Sequence, residues 1–266
     1  MSATATRDEI ELARRYDRIS DPQFTHGSDL IELLALRPGD QILDVGCGTG
    51  RLAAHALERL DAGGRIVGID PEAARIDLAQ KLRDPRLAFR LGRAEDLSSI
   101  AAPTFDVVYM NSALSRIADK ARAIAEMHRV LKPGGRLGIT TTVHDRPNEL
   151  IILTQQASVA LGARRKATAD VGMGEVRDLL RAAAGLRTRV FELRTYVSSF
   201  EDVMQMIEFF DVNRGGQLLR GRAPGDVERL RAELERAVAQ TIPEERRRGG
   251  IRLERYVLLA VADKLA

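Results

Sequence analysis

Short apolar runs alternate with amphipathic segments through the first half of the chain. The runs are bounded by glycine, proline and aspartate and predict strands, whereas the segments between them carry apolar residues at helical spacing. The predicted strands span 41–45, 65–69, 87–91, 105–110 and 136–142, and the predicted helices between them span 51–60, 72–81 and 120–131. This alternation implies right-handed crossovers and a parallel, doubly wound sheet.

Both ends of the chain depart from this alternation. Apolar residues recur at helical spacing from Asp8 to Leu36, and interruptions at Asp21-Pro22 and Gly27 predict two short helices with a hinge. After Thr142 the pattern predicts helices over 148–161, 175–184, 200–211 and 226–239 and strands over 186–197 and 256–262. We therefore expect an α/β fold with a mostly parallel seven-stranded sheet and helical insertions.

No repeat, linker or low-complexity segment divides the sequence, so a single domain over 1–266 is the expected organisation. Within it, we expect 37–142 to form a ligand-binding core. The remaining helical segments are interpreted as an N-terminal lid over 1–36 and lid insertions over 143–171 and 198–250.

Charge and composition exclude several classes of partner. The 41 basic and 38 acidic residues nearly balance, and aromatic residues make up only 4% of the chain with no Trp, which disfavours a nucleic-acid partner. The single cysteine, Cys47, excludes a disulfide framework and a cysteine-based metal cluster. The N-terminal segment lacks an apolar signal region, and no later run reaches membrane-spanning length. We expect a cytoplasmic protein without membrane insertion and without a metal.

The stretch ILDVGCGTG, residues 42–50, runs from the first predicted strand into three glycines. A dinucleotide-binding fingerprint needs a third glycine where this chain has Arg51. Asp44 would repel a pyrophosphate but suits a ligand that carries an ammonium group. Asp70 ends the second strand about 20 residues beyond the turn, where an acid can accept hydrogen bonds from ribose hydroxyls. An alternative for Asp70 is a cap for the helix that starts at Pro71.

Three segments carry a family resemblance: ILDVGCGTG, GRIVGIDPEAARIDLAQ and EMHRVLKPGGRLGIT. They resemble class I S-adenosylmethionine-dependent methyltransferases, within them the ubiquinone-biosynthesis-like small-molecule group. The resemblance covers roughly 35–142 and implies a Rossmann-like methyltransferase fold with S-adenosylmethionine as cofactor. In such a site Asp44, Gly46 and Gly48 would hold the methionine portion and Asp70 the ribose. The full set of cofactor-binding residues implied or considered on this basis is Tyr16, Asp44, Gly46, Cys47, Gly48, Asp70, Pro71, Ala94, Glu95, Asp96 and Asn111.

Some of these positions have further roles by resemblance. Pro71 would neighbour the adenine, Glu95 or Asp96 would receive its amino group, and Asn111 would face both the methionine portion and the substrate. Tyr16 matches an N-terminal aromatic residue that closes over the cofactor in relatives, although packing alone would also explain a tyrosine on an amphipathic helix.

The sequence departs from its relatives after the fourth strand, where residues 114–117 are LSRI instead of an aromatic or histidine pair. Methyl transfer rewards alignment of the reactants and needs a general base only for acceptors of high pKa. The candidates for a base are His26 and His144, and for each the alternative is a packing or surface residue.

We expect the acceptor to be a hydrophobic small molecule. The segments 148–161 and 200–214 are rich in apolar residues that could line its pocket, or could instead cover the sheet or form a homodimer face. Two rival functions stay open at this point. One is a protein that binds S-adenosylmethionine without methyl transfer, as a cyclase, isomerase or regulator, and the other is a nicotinamide-dependent oxidoreductase.

Overall fold

The computed structural model describes residues 5–162, 171–213, 216, 218, 219 and 221–265. The α-helices are α1 (Arg7–Ile19), α2 (Asp21–Leu34), α3 (Arg51–Leu57), α4 (Ala73–Ala79), α5 (Lys120–Val130), α6 (Glu149–Ala160), α7 (Met173–Ala182), α8 (Val203–Asn213) and α9 (Pro224–Thr241). The strands are β1 (Gln41–Val45), β2 (Arg65–Asp70), β3 (Leu87–Leu91), β4 (Phe105–Asn111), β5 (Leu131–Thr142), β6 (Leu186–Phe200) and β7 (Ile251–Lys264).

The strands form one seven-stranded sheet in the order β3-β2-β1-β4-β5-β7-β6. Strands β1 to β5 pair in parallel, and β7 pairs antiparallel with β5. The prediction of a mostly parallel seven-stranded sheet is confirmed. Strand order reverses between β1 and β4, so the carboxyl ends of these two strands flank the crevice where ligands bind in open α/β sheets.

Alternate side chains of the central strands are buried on opposite faces of the sheet. Ile42 of β1 and Val107 of β4 pack against α2 and α3, whereas Leu43 and Val108 pack in a second cluster with α5 and α7. Near-continuous apolar strands are required here because helices cover both faces. The packing places Asp44 and Tyr109 on the same face as Ile42 and Val107.

The chain divides into two compact units. One comprises Met1–Val143, Asp170–Arg194 and Val257–Ala266, and it holds the glycine turn with most of the sheet. The other comprises His144–Ala169 and Thr195–Tyr256, and it holds α6, α8 and α9. The assignment of lids within a single domain stays a prediction.

Several boundaries differ from the sequence-based expectations; β7, for example, begins at Ile251 and not at 256, and β6 continues to Phe200. Gly27 does not interrupt a helix, because α2 runs through it from Asp21 to Leu34. A Cβ at Gly27 would lie 2.8 Å from both Asn111 Nδ2 and Leu52 Cδ2, so a close helix–strand approach, not a hinge, requires the glycine. Strand β5 begins at Leu131, five residues before the predicted start, because Leu131 pairs with Phe105 ahead of a register shift.

None of the helices within the described residues is both long enough and apolar enough to span a membrane.

Candidate active site

The glycine turn after β1 is fastened to the end of β2. The backbone N–H groups of Gly46 and Cys47 both donate to the carbonyl oxygen of Ile69, at 2.8 and 2.9 Å, and Gly48 N–H donates to Asp70 Oδ2 at 3.0 Å. Gly46, Gly48 and Gly50 all have positive φ, between 56° and 79°. The turn therefore needs glycine for its backbone conformation.

Asp70 organises the start of the next segment as well. Its Oδ1 accepts the backbone N–H of Glu72 at 2.9 Å, just before α4 begins. The alternative of a helix cap at Asp70 is wrong, because α4 begins at Ala73 with Glu72 at its N-cap, and Asp70 instead fixes the turn before the helix. A carboxylate has further lone pairs that can accept from a ligand. Arg75 of α4 is buried and its Nη1 lies 4.0 Å from Asp70 Oδ2, while its Nε pairs with Glu72 at 3.0 Å.

Asp44 lies at the end of β1 and is buried, with only 1% of its surface exposed. The hydroxyl of Tyr109, its register neighbour on β4, donates to Asp44 Oδ2 at 2.9 Å. Burial raises the pKa of the Asp44 carboxyl to about 7, the hydrogen bond from Tyr109 opposes that rise, and the nearby charge of Asp70 adds to it. The free protein thus holds a buried acid that gains stabilisation from any cation placed beside it.

Two clefts meet at Gly46. The first lies under α1 and α2, and its lining residues are Tyr16, Ser20, Gln23, Phe24, Asp44, Gly46, Cys47, Gly48, Thr49, Arg51, Leu52 and Asn111. The second, of about 230 Å³, lies along the carboxyl end of β2, and its lining residues are Val45, Gly46, Asp70, Pro71, Glu72, Arg75, Gly92, Arg93, Ala94, Glu95, Ala113, Arg116 and Ile117.

The clefts bring together ten of the eleven residues proposed for the cofactor. Tyr16, Asp44, Gly46, Cys47, Gly48 and Asn111 line the first, and Asp70, Pro71, Ala94 and Glu95 line the second. Asp96 is exposed and lines neither of these two clefts. Its carboxylate accepts the backbone N–H of Ser98 at 3.1 Å, which stabilises the turn after β3. Hydrogen bonds from the Ser98 side chain, and then from its backbone N–H, lower the pKa of the acid.

Helix α1 is held beside the glycine turn by two contacts, one with α4 and one with Thr49 of the turn. The Arg75 guanidinium stacks on the Tyr16 ring, 4.4 Å from its centroid, and Thr49 Oγ1 donates to Asp17 Oδ1 at 2.5 Å. A Cβ built on Gly48 would lie 3.8 Å from Tyr16 Cε1, so the ring lies close above the turn. Tyr16 is therefore packed against Arg75 and also lines the first cleft, while its contact with the cofactor stays a prediction.

Helix α2 is joined to the ends of β4 and β5 by a chain of hydrogen bonds. Asn111 Nδ2 donates to the Gln23 carbonyl at 3.1 Å, and Thr140 Oγ1 donates to Asn111 Oδ1 at 2.5 Å. Ser112, which has a positive φ of 57°, donates its N–H to Thr140 and shares a 2.6 Å hydrogen bond between its Oγ and His26 Nε2. His26 is buried, and neither His26 nor Ser112 lines either of the two clefts; Ser112 follows Asn111, which lines the first.

The remaining candidates lie differently. His144 is exposed and begins the second compact unit. Cys47 is buried, and burial raises the pKa of its thiol above the ordinary value, so the thiolate needed for nucleophilic chemistry is disfavoured. Over the described ranges, no three histidine, cysteine or acidic side chains are arranged to hold a metal ion.

Sequence reasoning missed the residues that support the site from a distance. These are Tyr109, Arg75, Asp17, Ser112 and Thr140. Tyr109 and Asp44 are 65 positions apart and His26 and Ser112 are 86 apart, so no local pattern links them. Their positions could have been suspected only from the expected register of β1 against β4.

Comparison with known proteins decides the family. A model of the methyltransferase domain matches residues 36–193, more than half of the chain. The chain belongs to this methyltransferase family. Its resemblance to class I S-adenosylmethionine-dependent methyltransferases is thereby confirmed, with S-adenosylmethionine as the family's cofactor, and the nicotinamide alternative is not supported.

Individual relatives agree with the family. Trans-aconitate 2-methyltransferase of Deinococcus radiodurans is 31% identical over 52% of this chain and 52% of its own length. Demethylmenaquinone methyltransferase of Symbiobacterium thermophilum is 39% identical over 38% of this chain and 41% of its own. The chain thus spans about half the length of these curated relatives, or less. The YcgJ protein of Bacillus subtilis shares the fold, with a TM-score of 0.61, 17% identity and coverage of 91% and 99% of the two chains.

The residues present fit S-adenosylmethionine. The first cleft presents a buried carboxylate beside positive-φ glycines, which suits the ammonium of an amino acid. The second presents Asp70, whose carboxylate retains accepting capacity for ribose hydroxyls. The two clefts share Gly46, so one elongated ligand can reach both.

Proposed function

We propose that the protein transfers a methyl group from S-adenosylmethionine to an oxygen or carbon atom of a hydrophobic small molecule. The observation that carries this proposal is the pair of clefts that meet at Gly46, one with the buried Asp44 and the other with Asp70. The relatives carry methyltransferase names, which favours methyl transfer over the alternative of binding without transfer.

In this proposal each cleft holds one part of the cofactor. Asp44 accepts from the ammonium group, and the glycine turn at Gly46 and Gly48 lies along the methionine portion. Asp70 accepts from the ribose hydroxyls, and Pro71 with Glu95 lies at the adenine. Asp96 is the weakest of the proposed contacts, because its carboxylate already stabilises the turn at Ser98.

The chemistry demands orientation more than reactive side chains. When bound, S-adenosylmethionine supplies a methyl group already activated by a sulfonium. The protein then has to hold donor and acceptor in line and exclude water, and good alignment alone lowers the barrier by several kcal/mol, on the order of 7–11 in favourable cases. Asn111 suits this task because Thr140 and Gln23 fix its amide on both sides.

A base is needed if the acceptor is a hydroxyl of high pKa. We assign that role to His26, which takes the acceptor's proton through the Ser112 hydroxyl, 2.6 Å from its Nε2. The Ser112 side chain is half-buried beside Asn111, whereas His26 itself is buried. His144 is the alternative base, supported only by its position just after β5.

A hydrophobic acceptor is supported by one relative's name and by the composition of α6 and α8. Demethylmenaquinone methyltransferase is named for a quinone-type acceptor. In α8, Met206 and Phe209 are buried, and Phe209 packs edge-on against Phe200 at 5.5 Å, so these two serve packing. Met204 and Phe210 are half-buried and remain candidates for the acceptor pocket, as do residues 148–161. Arg214, the end of the second apolar segment, lies outside the described residues.

We also propose that the enzyme is cytoplasmic. If the apolar segments 148–161 and 200–214 do not line a pocket, we propose that they form a homodimer face. No nucleic-acid partner is proposed, because the charges nearly balance and aromatic residues are few.

Isotope transfer tests the function. The purified protein is incubated with S-adenosylmethionine that carries a trideuterated methyl group and with a panel of quinols, phenols and polyketide-like acceptors. Product masses are then measured by mass spectrometry. Incorporation of the intact labelled methyl into one acceptor class supports the proposal, with Asp44→Asn as the inactive control. An acceptor that is consumed without change of mass would point to isomerisation and contradict methyl transfer.

A further inference from the structure

Tyr109 is buried in the middle of the sheet, yet its hydroxyl lies at the active site. No surface of the side chain is exposed, and the ring packs among Leu52, Ile42 and their neighbours in the cluster beneath α2 and α3. The hydroxyl donates to Asp44 Oδ2 at 2.9 Å. Removing a buried donor of this kind would leave a carboxyl oxygen short of a partner, which is more costly than removing an exposed one.

The charges around Asp44 do not otherwise favour its ionised form. Asp70, on β2, is a second buried acid whose charge opposes that of Asp44, and Cys47 in the glycine turn is buried and neutral. Arg75 of α4 pairs with Glu72 and lies near Asp70. Arg51 and Tyr16 line the same cleft, but Arg51 pairs with Asp21 at 2.6 Å. Among the described residues, the contact that directly stabilises the Asp44 carboxylate is therefore the hydrogen bond from the Tyr109 hydroxyl.

We propose that Tyr109 is a positioning residue for S-adenosylmethionine, whose hydroxyl holds Asp44 ionised and turned so that its other oxygen receives the ammonium group. This inference rests on the proposed role of Asp44. Tyr109 does not touch the cofactor and acts only through the carboxylate. A neutral Asp44 would lose its charge attraction for the ammonium, so cofactor binding by the free protein must displace a proton whenever Asp44 carries one.

The proposal gives Tyr109 a signature that packing alone does not produce. Because burial raises the pKa of Asp44 to about 7, wild-type protein releases a fraction of a proton on binding near that pH, and the fraction falls as the pH rises. Losing one hydrogen bond to a carboxylate raises its pKa by about one pH unit. Tyr109→Phe should then shift the pH profiles of proton release and of affinity upward by about one pH unit, so that it binds S-adenosylmethionine up to about tenfold more weakly below the wild-type midpoint and loses much less well above it.

Calorimetric titration with S-adenosylmethionine in buffers of different ionisation enthalpy measures both quantities. Protons that the ligand itself releases are the same for every variant, so differences belong to the protein. Tyr256→Phe is the matched control, because it also removes a phenol that donates to a carboxylate, that of Glu254, but in the other compact unit. It should behave like wild type.

The outcomes distinguish a failure of the proposed role of Tyr109 from a failure of the role of Asp44, on which it rests. If Asp44→Asn binds the cofactor as tightly as wild type, the role of Asp44 fails. If Asp44→Asn binds weakly but Tyr109→Phe shows the wild-type proton release and pH profile, the inference about Tyr109 is overturned and the role of Asp44 stands.

A measurement on wild-type protein covers the case in which Tyr109→Phe does not fold. Carbon-13 spectra of aspartate carboxyls, with Asp44→Asn for assignment, should show the Asp44 carboxyl titrating near pH 7 in the free protein and constant when S-adenosylhomocysteine is bound. The Tyr109 Cζ resonance should shift with the same titration. A Tyr109 Cζ signal that stays constant while Asp44 titrates would overturn the proposal, because the hydroxyl would then not be bonded to the Asp44 carboxylate.

Discussion

The carboxylate of Asp70 accepts the backbone N–H of Gly48 at 3.0 Å, so the acid that ends β2 holds in place the glycine turn that follows β1. The other oxygen of the same carboxylate, Oδ1, accepts the backbone N–H of Glu72. Asp70 thus fixes the shape of the turn and, in the proposed function, also contacts the ribose. Its removal should therefore affect both the ligand contact and the surface that presents it.

Substituting Asp70→Ala should weaken S-adenosylmethionine binding by about 1.5–3 kcal/mol, roughly 10- to 150-fold, the scale of lost hydrogen bonds to a charged acceptor. Asp70→Asn should lose less, because the amide oxygen can still accept one N–H. Calorimetric affinities of the two variants check this order. An affinity of Asp70→Ala equal to that of wild type would remove Asp70 from the site.

Substituting Asp44→Asn should stabilise the ligand-free protein at high pH while it removes cofactor binding. Folding raises the pKa of Asp44 from 3.8 to about 7, so its contribution to stability is complete below pH 3.8 and is lost as pH rises through 7. The variant should therefore gain about 1–3 kcal/mol in free energy of unfolding at pH 8.5 and much less at pH 5. Urea denaturation at both pH values measures this difference, and a variant less stable than wild type at pH 8.5 would contradict the burial argument.

Substituting Gly27→Ala should destabilise the protein although alanine favours helices. The new methyl would meet Asn111, whose amide is fixed on both sides, and overpacking of this kind costs about 1–3 kcal/mol. Gly174→Ala, in α7, is the control, since no heavy atom within 4 Å would meet its Cβ, and it should gain up to about 1 kcal/mol from helix propensity. Thermal unfolding of both variants decides the matter; equal stabilisation by the two substitutions would show that α2 can move away from β4.

Substituting His26→Asn should slow methyl transfer about 100-fold or more if His26 is the base, while cofactor affinity stays within about twofold. His144→Ala, by contrast, should leave turnover close to wild type. Single-turnover rates with an identified acceptor, measured beside cofactor affinity, distinguish a base from a residue that only joins α2 to the sheet. A large loss of rate in His144→Ala with none in His26→Asn would transfer the role to His144.

The parts of the site that lie within one strand and its following turn could be predicted from the sequence. Gly46, Gly48 and Asp70 are marked by apolar runs that end in glycine or Asp-Pro, because a parallel strand and its turn leave a local pattern. Gly27 shows the limit of such patterns. Local propensity predicts a helix break at a lone glycine. Here Gly27 instead permits the close approach of α2 to Asn111, a residue 84 positions further along the chain.

The supporting contacts could not be predicted for a related reason. The bond from Tyr109 to Asp44 and the one from Ser112 to His26 depend on how β4 lies beside β1 and under α2. A tyrosine in an apolar strand looks like core packing unless the register is known, and Tyr109 is indeed core packing apart from its hydroxyl. The early start of β5 was missed because Pro133, Gly134 and Gly135 resemble a loop.

The most direct test of the account is calorimetric titration of the purified protein with S-adenosylmethionine and, separately, with S-adenosylhomocysteine, at pH 8 and at pH 6. Both should bind, and both should bind more weakly at pH 6, because protonation of Asp44 removes the charge that faces the ammonium group. If neither ligand binds at either pH, the clefts at Gly46 do not hold the family's cofactor and the proposed methyl transfer is wrong.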